Sequence, residues 1–258
     1  MNRETLRGIG GVVIFLAAWE AAVSTKLVDF DYLPAPSVIA VALVGMARDG
    51  EVFGEIVHTL RAALVGWLIS IVIGGVAGAA LGLSPAARKY CLATVEALRP
   101  LPGIAFVPVE ILVFGFSLQT ELVVIVIPTV WPILVNTMGG FAAIPSRLHD
   151  VVRSFRMSPM AATLTIFAPA TAPAILVGLR LSMTLALIMA IAVEMIGNPE
   201  GLGYAVVREA AALRPDVMFA YVFIIGVLGI VLNALLIGAA KLVLPGEFKR
   251  PRAEWSRP

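Results

Sequence analysis

The residues able to do chemistry in this chain are few and scattered. Two histidines, His58 and His149, and one cysteine, Cys91, stand beside 17 carboxylates and 19 Lys/Arg in 258 residues. Without a Cys/His cluster a zinc site has no obvious ligands, and a single cysteine excludes an intramolecular disulfide while leaving the redox compartment open. No nucleophile–base pair or carboxylate cluster is visible, so an enzymatic function and a cofactor held by this chain are not expected. What stands out instead are single ionisable groups inside apolar stretches: Glu110, Arg180 and Glu194. At membrane depth each costs at least a few kcal/mol unless paired or wet, so each is a candidate for a solute path or for an ion pair between helices.

Their spacing sharpens that choice. Fourteen residues at ~100° each bring Glu194 to within about 40° of the face of Arg180, so Arg180, Thr184, Leu187, Ile191 and Glu194 read as one stripe of a helix. Such a stripe could line a passage in which Arg180 attracts an anion; the alternative is that each charge pairs with a neighbouring helix. Glu110 points into a cavity or snorkels. Asn136, Thr137 and Asn233 can bond between helices, and Gly74, Gly75, Gly78 and Gly82 suit close packing.

The elements that must position these residues follow from composition. The chain is 60% hydrophobic and 14% charged, with mean hydropathy +0.97. Ordinary soluble domains are roughly 45–50% apolar and about 25% charged, so this chain is built for a bilayer. An all-α, polytopic membrane domain spanning residues 1–258 is expected, because in hydrocarbon each backbone polar group must be paired within its own segment. Six segments qualify as crossings: 6–24, 60–83, 101–118, 122–143, 172–196 and 217–244. Pro102, Pro108, Pro128 and Pro132 predict kinks or unwinding in the third and fourth. The first, preceded by Arg3 and Arg7, reads as an uncleaved crossing rather than a signal peptide.

Basic residues set the orientation. Placing the N-terminus inside gives thirteen Lys/Arg on the inner pieces (1–7, 84–100, 144–171 and the tail from Lys241) against four on the outer ones. That asymmetry puts both termini in the cytoplasm. Outside the bilayer, Ser37 is expected to N-cap a short surface helix from Val38 to Met46. Inside, residues 144–171 read as two short helices around Met157-Ser158-Pro159, the first carrying Arg147, Asp150, Arg153 and Arg156. No Gly-x-x-x-x-Gly-Lys-Ser/Thr sequence occurs, so the chain cannot hydrolyse ATP by that route.

This inner loop resembles the coupling loop of binding-protein-dependent importer permeases, Glu-Ala-Ala-x3-Gly-x9-Ile-x-Leu-Pro. The matching residues are Asp150-Val151-Val152, Arg156, and Ile166-Phe167-Ala168-Pro169, so spacing is kept while several identities differ. Trp19-Glu20, Leu33-Pro34-Ala35-Pro36-Ser37, Arg99-Pro100-Leu101-Pro102, Trp131 to Thr137, Gly178-Leu179-Arg180, and Ala192 to Ile196 with Gly201-Leu202-Gly203-Tyr204 resemble the branch serving nitrate, sulfonate, taurine and bicarbonate uptake. The resemblance runs along nearly the whole chain.

It implies a type I ABC importer permease fold in a bacterial inner membrane and a complex of two permease copies, identical in a homodimer. Two cytosolic ATPase subunits, which would hold ATP and Mg, and an external substrate-binding protein complete it; no nucleic acid is expected. Asp150, Arg153, Arg156, Met157, Ser158 and Pro159 would dock on the ATPase. At Arg156 the family carries Gly, which permits a close approach that Arg forbids. The competing reading is an ion-coupled secondary transporter acting as a dimer, although no inverted repeat is visible. A purely structural membrane protein is a further alternative.

Overall fold

A computed structural model describes residues 3–28, 30 and 32–243, and among them every regular element is helical. Helix α1 (Arg3–Ser24) is followed by α2 (Pro36–Asp49), α3 (Glu51–Leu83) and α4 (Pro85–Leu98). A 3-10 turn (Gly103–Phe106) leads into α5 (Val107–Phe114), and then come α6 (Leu118–Ala142) and α7 (Ser146–Ser154). Next are α8 (Pro159–Ala162), a π turn (Thr163–Phe167) and α9 (Ala168–Gly197). Helices α10 (Leu202–Ala211) and α11 (Pro215–Val243) end the described chain. The basic tail beyond Val243, counted for the orientation, and the last residue of the expected sixth crossing lie outside the described residues, as does the side chain of Arg3.

Among the described residues four helices are long and apolar enough to cross a membrane: Glu51–Leu83, Leu118–Ala142, Pro159–Gly197 and Pro215–Leu242. The expected third crossing is not one of them. Its helical part covers only 103–114, behind a 69° bend after α4, and the bent pair together makes at most one broken span. Pro100 and Pro102 account for the break, since proline cannot donate to a helical ladder, and Gly103 just beyond lies against the Pro128 ring. In α1 the apolar part is Gly10–Ser24, shorter than a full span. The fourth crossing, expected to be kinked or partly unwound, is one helix of 25 residues that carries Pro128 and Pro132 inside it without unwinding.

The core is α3, α6 and α9 packed against one another, with α3 laid along α6. The reason is a column of small residues one turn apart on α3: Gly66, Ser70, Gly74, Gly78 and Gly82, all buried. A Cβ at Gly78 would sit 2.6 Å from the Leu134 carbonyl, and one at Gly74 2.8 Å from that of Val130. Only a residue with no side chain lets two backbones come this close. Ser70 fits the column by turning its hydroxyl to Gly66 O (2.8 Å) and to Thr129 Oγ1 (2.6 Å). Gly75 is off the column and meets nothing within 4 Å. Gly178 of α9 repeats the device against the Pro132 carbonyl, 2.8 Å from a Cβ placed there.

Ser37 does not N-cap α2. Ala35 holds that position, and Ser37 gives its backbone N–H (2.9 Å) and its hydroxyl (2.8 Å) to the Glu20 carboxylate of α1. A carboxylate from a neighbouring helix thus satisfies the orphan donors that the apolar cap residue cannot. Nor is the second helix of the inner loop a separate piece. From Pro159 the chain runs through the π turn into α9 as one continuous helix of 39 residues, Pro159–Gly197.

Candidate functional site

The two ends of the bundle carry the groups of interest, and the α9–α11 cleft lies between them. At the first end, α10 begins where three backbone N–H groups have no intrahelical partner. All three are capped by side chains from other helices. Gly201 N–H donates to Glu55 (2.6 Å), Leu202 N–H to Thr59 Oγ1 (2.9 Å), and Gly203 N–H to Glu194 Oε2 (2.8 Å). The Thr59 hydroxyl in turn donates to Glu194 Oε2 at 2.9 Å, so α3, α9 and α10 are tied at one point. Gly201 has φ +94°, which excludes most other residues, and a methyl group there would overlap the Glu194 carboxylate. Gly203 sits equally tightly against the Ile191 carbonyl. Farther along α10, Arg208 reaches Glu209 (3.0 Å) and Glu55 (3.4 Å), and Arg214 holds the other Glu209 oxygen at 3.3 Å.

Beside this cap lies a second polar group. His58 of α3 places Nε2 3.0 Å from Glu121 Oε1 of α6 and Nδ1 3.0 Å from Glu200. Asn198 bonds both Glu121 and His58. Glu121 and Glu194 are each about 1% exposed, and each keeps one oxygen without a hydrogen-bond partner.

In the cleft between α9 and α11 the expected stripe divides. Arg180, Thr184, Leu187 and Ile191 line a groove of ≈ 250 Å³ completed by Asn233 and Leu232 of α11. Glu194 does not line it; the 40° offset, added to the crowding at α10, turns its carboxylate toward α3. Arg180 is exposed and its Nε donates to Asn233 Oδ1 at 2.9 Å. Among the described residues no carboxylate pairs with it. Asn233 therefore bonds between helices, whereas Asn136 turns back to the Pro132 carbonyl of its own helix (2.8 Å) and Thr137 Oγ1 is buried without a partner. Glu110 is buried in α5 with Oε2 unpartnered.

The opposite end carries α7. Leu148 and Val152 turn inward onto Phe141, Ala162 and Phe167, which leaves Arg147, Asp150 and Arg153 exposed. The helix closes on a left-handed residue: Arg156 has φ +47°, its N–H bonds Arg153 O (3.1 Å), and Met157 N–H bonds Val152 O (3.1 Å). This pairing is a Schellman motif, which ordinarily takes Gly at the left-handed position. The glycine of the family pattern is thus explained by backbone angle, not by close approach, and Arg156 is an exposed side chain on a strained backbone. Met157 is half-buried against Val152, the apolar contact that accompanies such caps. Ser158 N-caps α8 by accepting from Ala161 N–H (3.3 Å), with Pro159 in the first turn. Phe155 and Met160 flank the turn as exposed apolar side chains.

Residues 70–248 match the family described as binding-protein-dependent transport system inner membrane component. The chain belongs to that family. Among curated relatives, the putative aliphatic sulfonates transport permease SsuC of Bacillus subtilis is 26% identical over 87% of this chain and 81% of its own length. The nitrate import permease NrtB of Synechococcus elongatus is 28% identical, covering 90% and 87%. The taurine transport permease TauC of Escherichia coli is 23% identical, covering 90% and 86%. An inward-facing structure of the MetNI methionine ABC transporter superposes with TM-score 0.67 at 17% identity, over 76% of this chain and 98% of that one, which shows a shared fold. The chain is therefore the membrane-embedded permease subunit of an ABC importer of type I fold, with an ATPase and a substrate-binding protein as its partners. ATP hydrolysis belongs to the ATPase, and the reading as a self-contained secondary transporter is set aside.

The sequence missed Glu55, His58, Thr59, Glu121 and Asn198. All lie at helix ends that read as connecting pieces, and nothing in their spacing signals that α3, α6 and α9 converge there.

Proposed function

We propose that this permease forms the path for a small anion, of the sulfonate, taurine, nitrate or bicarbonate kind, along the α9–α11 cleft. The observation that carries the reading is Arg180: an exposed guanidinium with no carboxylate partner among the described residues, oriented by Asn233 in an otherwise apolar groove. Such a group is costly at membrane depth unless a ligand or water meets it, and its planar fork suits carboxylate, sulfonate and nitrate oxygens. Thr184, on the next turn, adds a hydroxyl to the same groove. Glu110 remains a cavity candidate, while Glu194 serves this reading as the brace that fixes the end of α9.

The proposed arrangement has six crossings, with α1 and the bent α4–α5 pair added to the four long helices. Both termini and α7 lie in the cytoplasm of a bacterium, α10 faces outward, and a second identical copy completes the path. Asp150, Arg153 and Arg156, with Met157, Ser158 and Pro159 forming the turn, dock on the ATPase, and ATP with Mg binds there rather than here.

The test is uptake into proteoliposomes with the ATPase and the loaded binding protein. Arg180→Gln should cut anion uptake at least about tenfold while leaving assembly intact, and Arg156→Glu should leave ATP hydrolysis running without uptake. Wild-type uptake by Arg180→Gln, or a binding protein stabilised by a cation or a sugar, rules out the anion path.

A further inference from the structure

The polar group beside α10 has a feature that transport along the α9–α11 cleft does not use. One donor atom each from His58, Glu121 and Glu194 lies within 4.8 Å of the others, brought together from α3, α6 and α9. Both carboxylates are fully buried, and both have an oxygen with no hydrogen-bond partner, Glu121 Oε2 and Glu194 Oε1. Two such carboxylates at this separation repel each other unless something positive sits between them.

His58 is prepared to help. Its Nδ1 lies 3.0 Å from Glu200, so that ring nitrogen carries the hydrogen. Nε2 lies 3.0 Å from Glu121 Oε1 and 3.1 Å from the Asn198 amide; a proton on Nε2 bonds the ring to Glu121, and an ion would take the place of that proton. A histidine whose outer N–H is held by a carboxylate while its other nitrogen faces anionic oxygens is the arrangement seen at metal sites, where the outer partner fixes tautomer and ring orientation. Thr59 plays the same part for Glu194 by donating to its second oxygen.

We infer that His58, Glu121 and Glu194 bind one divalent transition-metal ion of the Zn²⁺ class. One imidazole with two carboxylates favours such an ion over Mg²⁺ or Ca²⁺, which take all-oxygen shells. Donors around Zn²⁺ sit roughly 2.0–2.2 Å from the metal, so closing the present triangle needs movements of less than about 1 Å each, with the ion taking the place of the proton at Nε2. An entry path exists: His58 forms part of an open vestibule of ≈ 400 Å³ lined by Glu51, Glu55, Arg61 and Glu200, which concentrates cations at its mouth. The bound ion would join the ends of three helices. This assignment does not depend on what the permease carries.

The experiment is calorimetric titration of the purified, chelator-treated full chain with ZnCl₂, and of Co²⁺ followed by its visible absorption. One ion per chain is expected, with affinity reduced at least about tenfold in both His58→Ala and Glu121→Gln, and unchanged in His149→Ala. Glu121→Gln keeps the shape of the side chain, and the wild-type titration stands without any variant. Absence of saturable uptake below about 100 µM, or binding that Glu121→Gln leaves untouched, overturns the site and leaves a shared proton between the carboxylates.

Discussion

The end of the bundle at α10 and the end at α7 are built on opposite plans. At α10 buried and half-buried polar side chains reach across from other helices: Glu55, Thr59 and Glu194 each take one orphan N–H, and the bonds from Glu55 and Thr59 join elements distant in sequence. At α7 the cap is closed by the backbone itself, through the left-handed Arg156, and the helix is seated by Leu148 and Val152 on an apolar cluster. The first plan spends its polar groups inside the subunit. The second keeps Asp150, Arg153 and Arg156 on the surface, where a partner subunit can meet them. One end is specified from within and the other is left to be completed.

This contrast can be broken. The largest effect should come from Glu194→Ala, which strands the Gly203 N–H and the Thr59 hydroxyl in a buried site; at about 1–3 kcal/mol per orphaned group, a loss of about 2–6 kcal/mol is expected in thermal unfolding of the solubilised chain. Equal stability would mean that water replaces the carboxylate and that the α10 end is not internally fixed. A change between the two ends should harm both alike. Gly78→Leu forces α3 off the Leu134 carbonyl and should cost about 1–3 kcal/mol or more, whereas Gly75→Leu should stay within about 0.5 kcal/mol.

At the α7 end Val152→Asp should free α7 alone, at about 1–3 kcal/mol, seen as protease cleavage within 146–158 with the unfolding midpoint of the rest retained. Arg156→Gly should have the smallest effect, a gain of up to about 1 kcal/mol from relieving the left-handed strain. A loss there would show that the guanidinium already stabilises the loop by itself.

The same contrast explains what the sequence made legible. Long apolar runs announced α3, α6, α9 and α11, because burial in lipid acts on composition. The expected second crossing starts nine residues after α3 does, since Glu55 and His58 look like a loop until α10 and Glu121 are seen to receive them. Apolarity also could not separate a full crossing from the broken α4–α5 pair, where Pro100 and Pro102 decide the geometry. Arg180 was found because a charge in an apolar helix is a local signal, and the groove it lines is where the structure puts it. The cluster of His58, Glu121 and Glu194 was invisible because it exists only once three helices are packed. At Arg156 the match of the loop's spacing to the family pattern was readable, while the reason for a glycine there was a backbone angle that only coordinates reveal.

The unbroken helix Pro159–Gly197 joins these two ends. Its 39 residues span roughly 58 Å, about twice the thickness of a bilayer's hydrocarbon core. Ser158 and Glu194 are therefore joined by a single helical rod, with no loop between them. The π turn at Thr163–Phe167 puts one surplus residue into that ladder, the point along the rod where its winding departs from the α-helix.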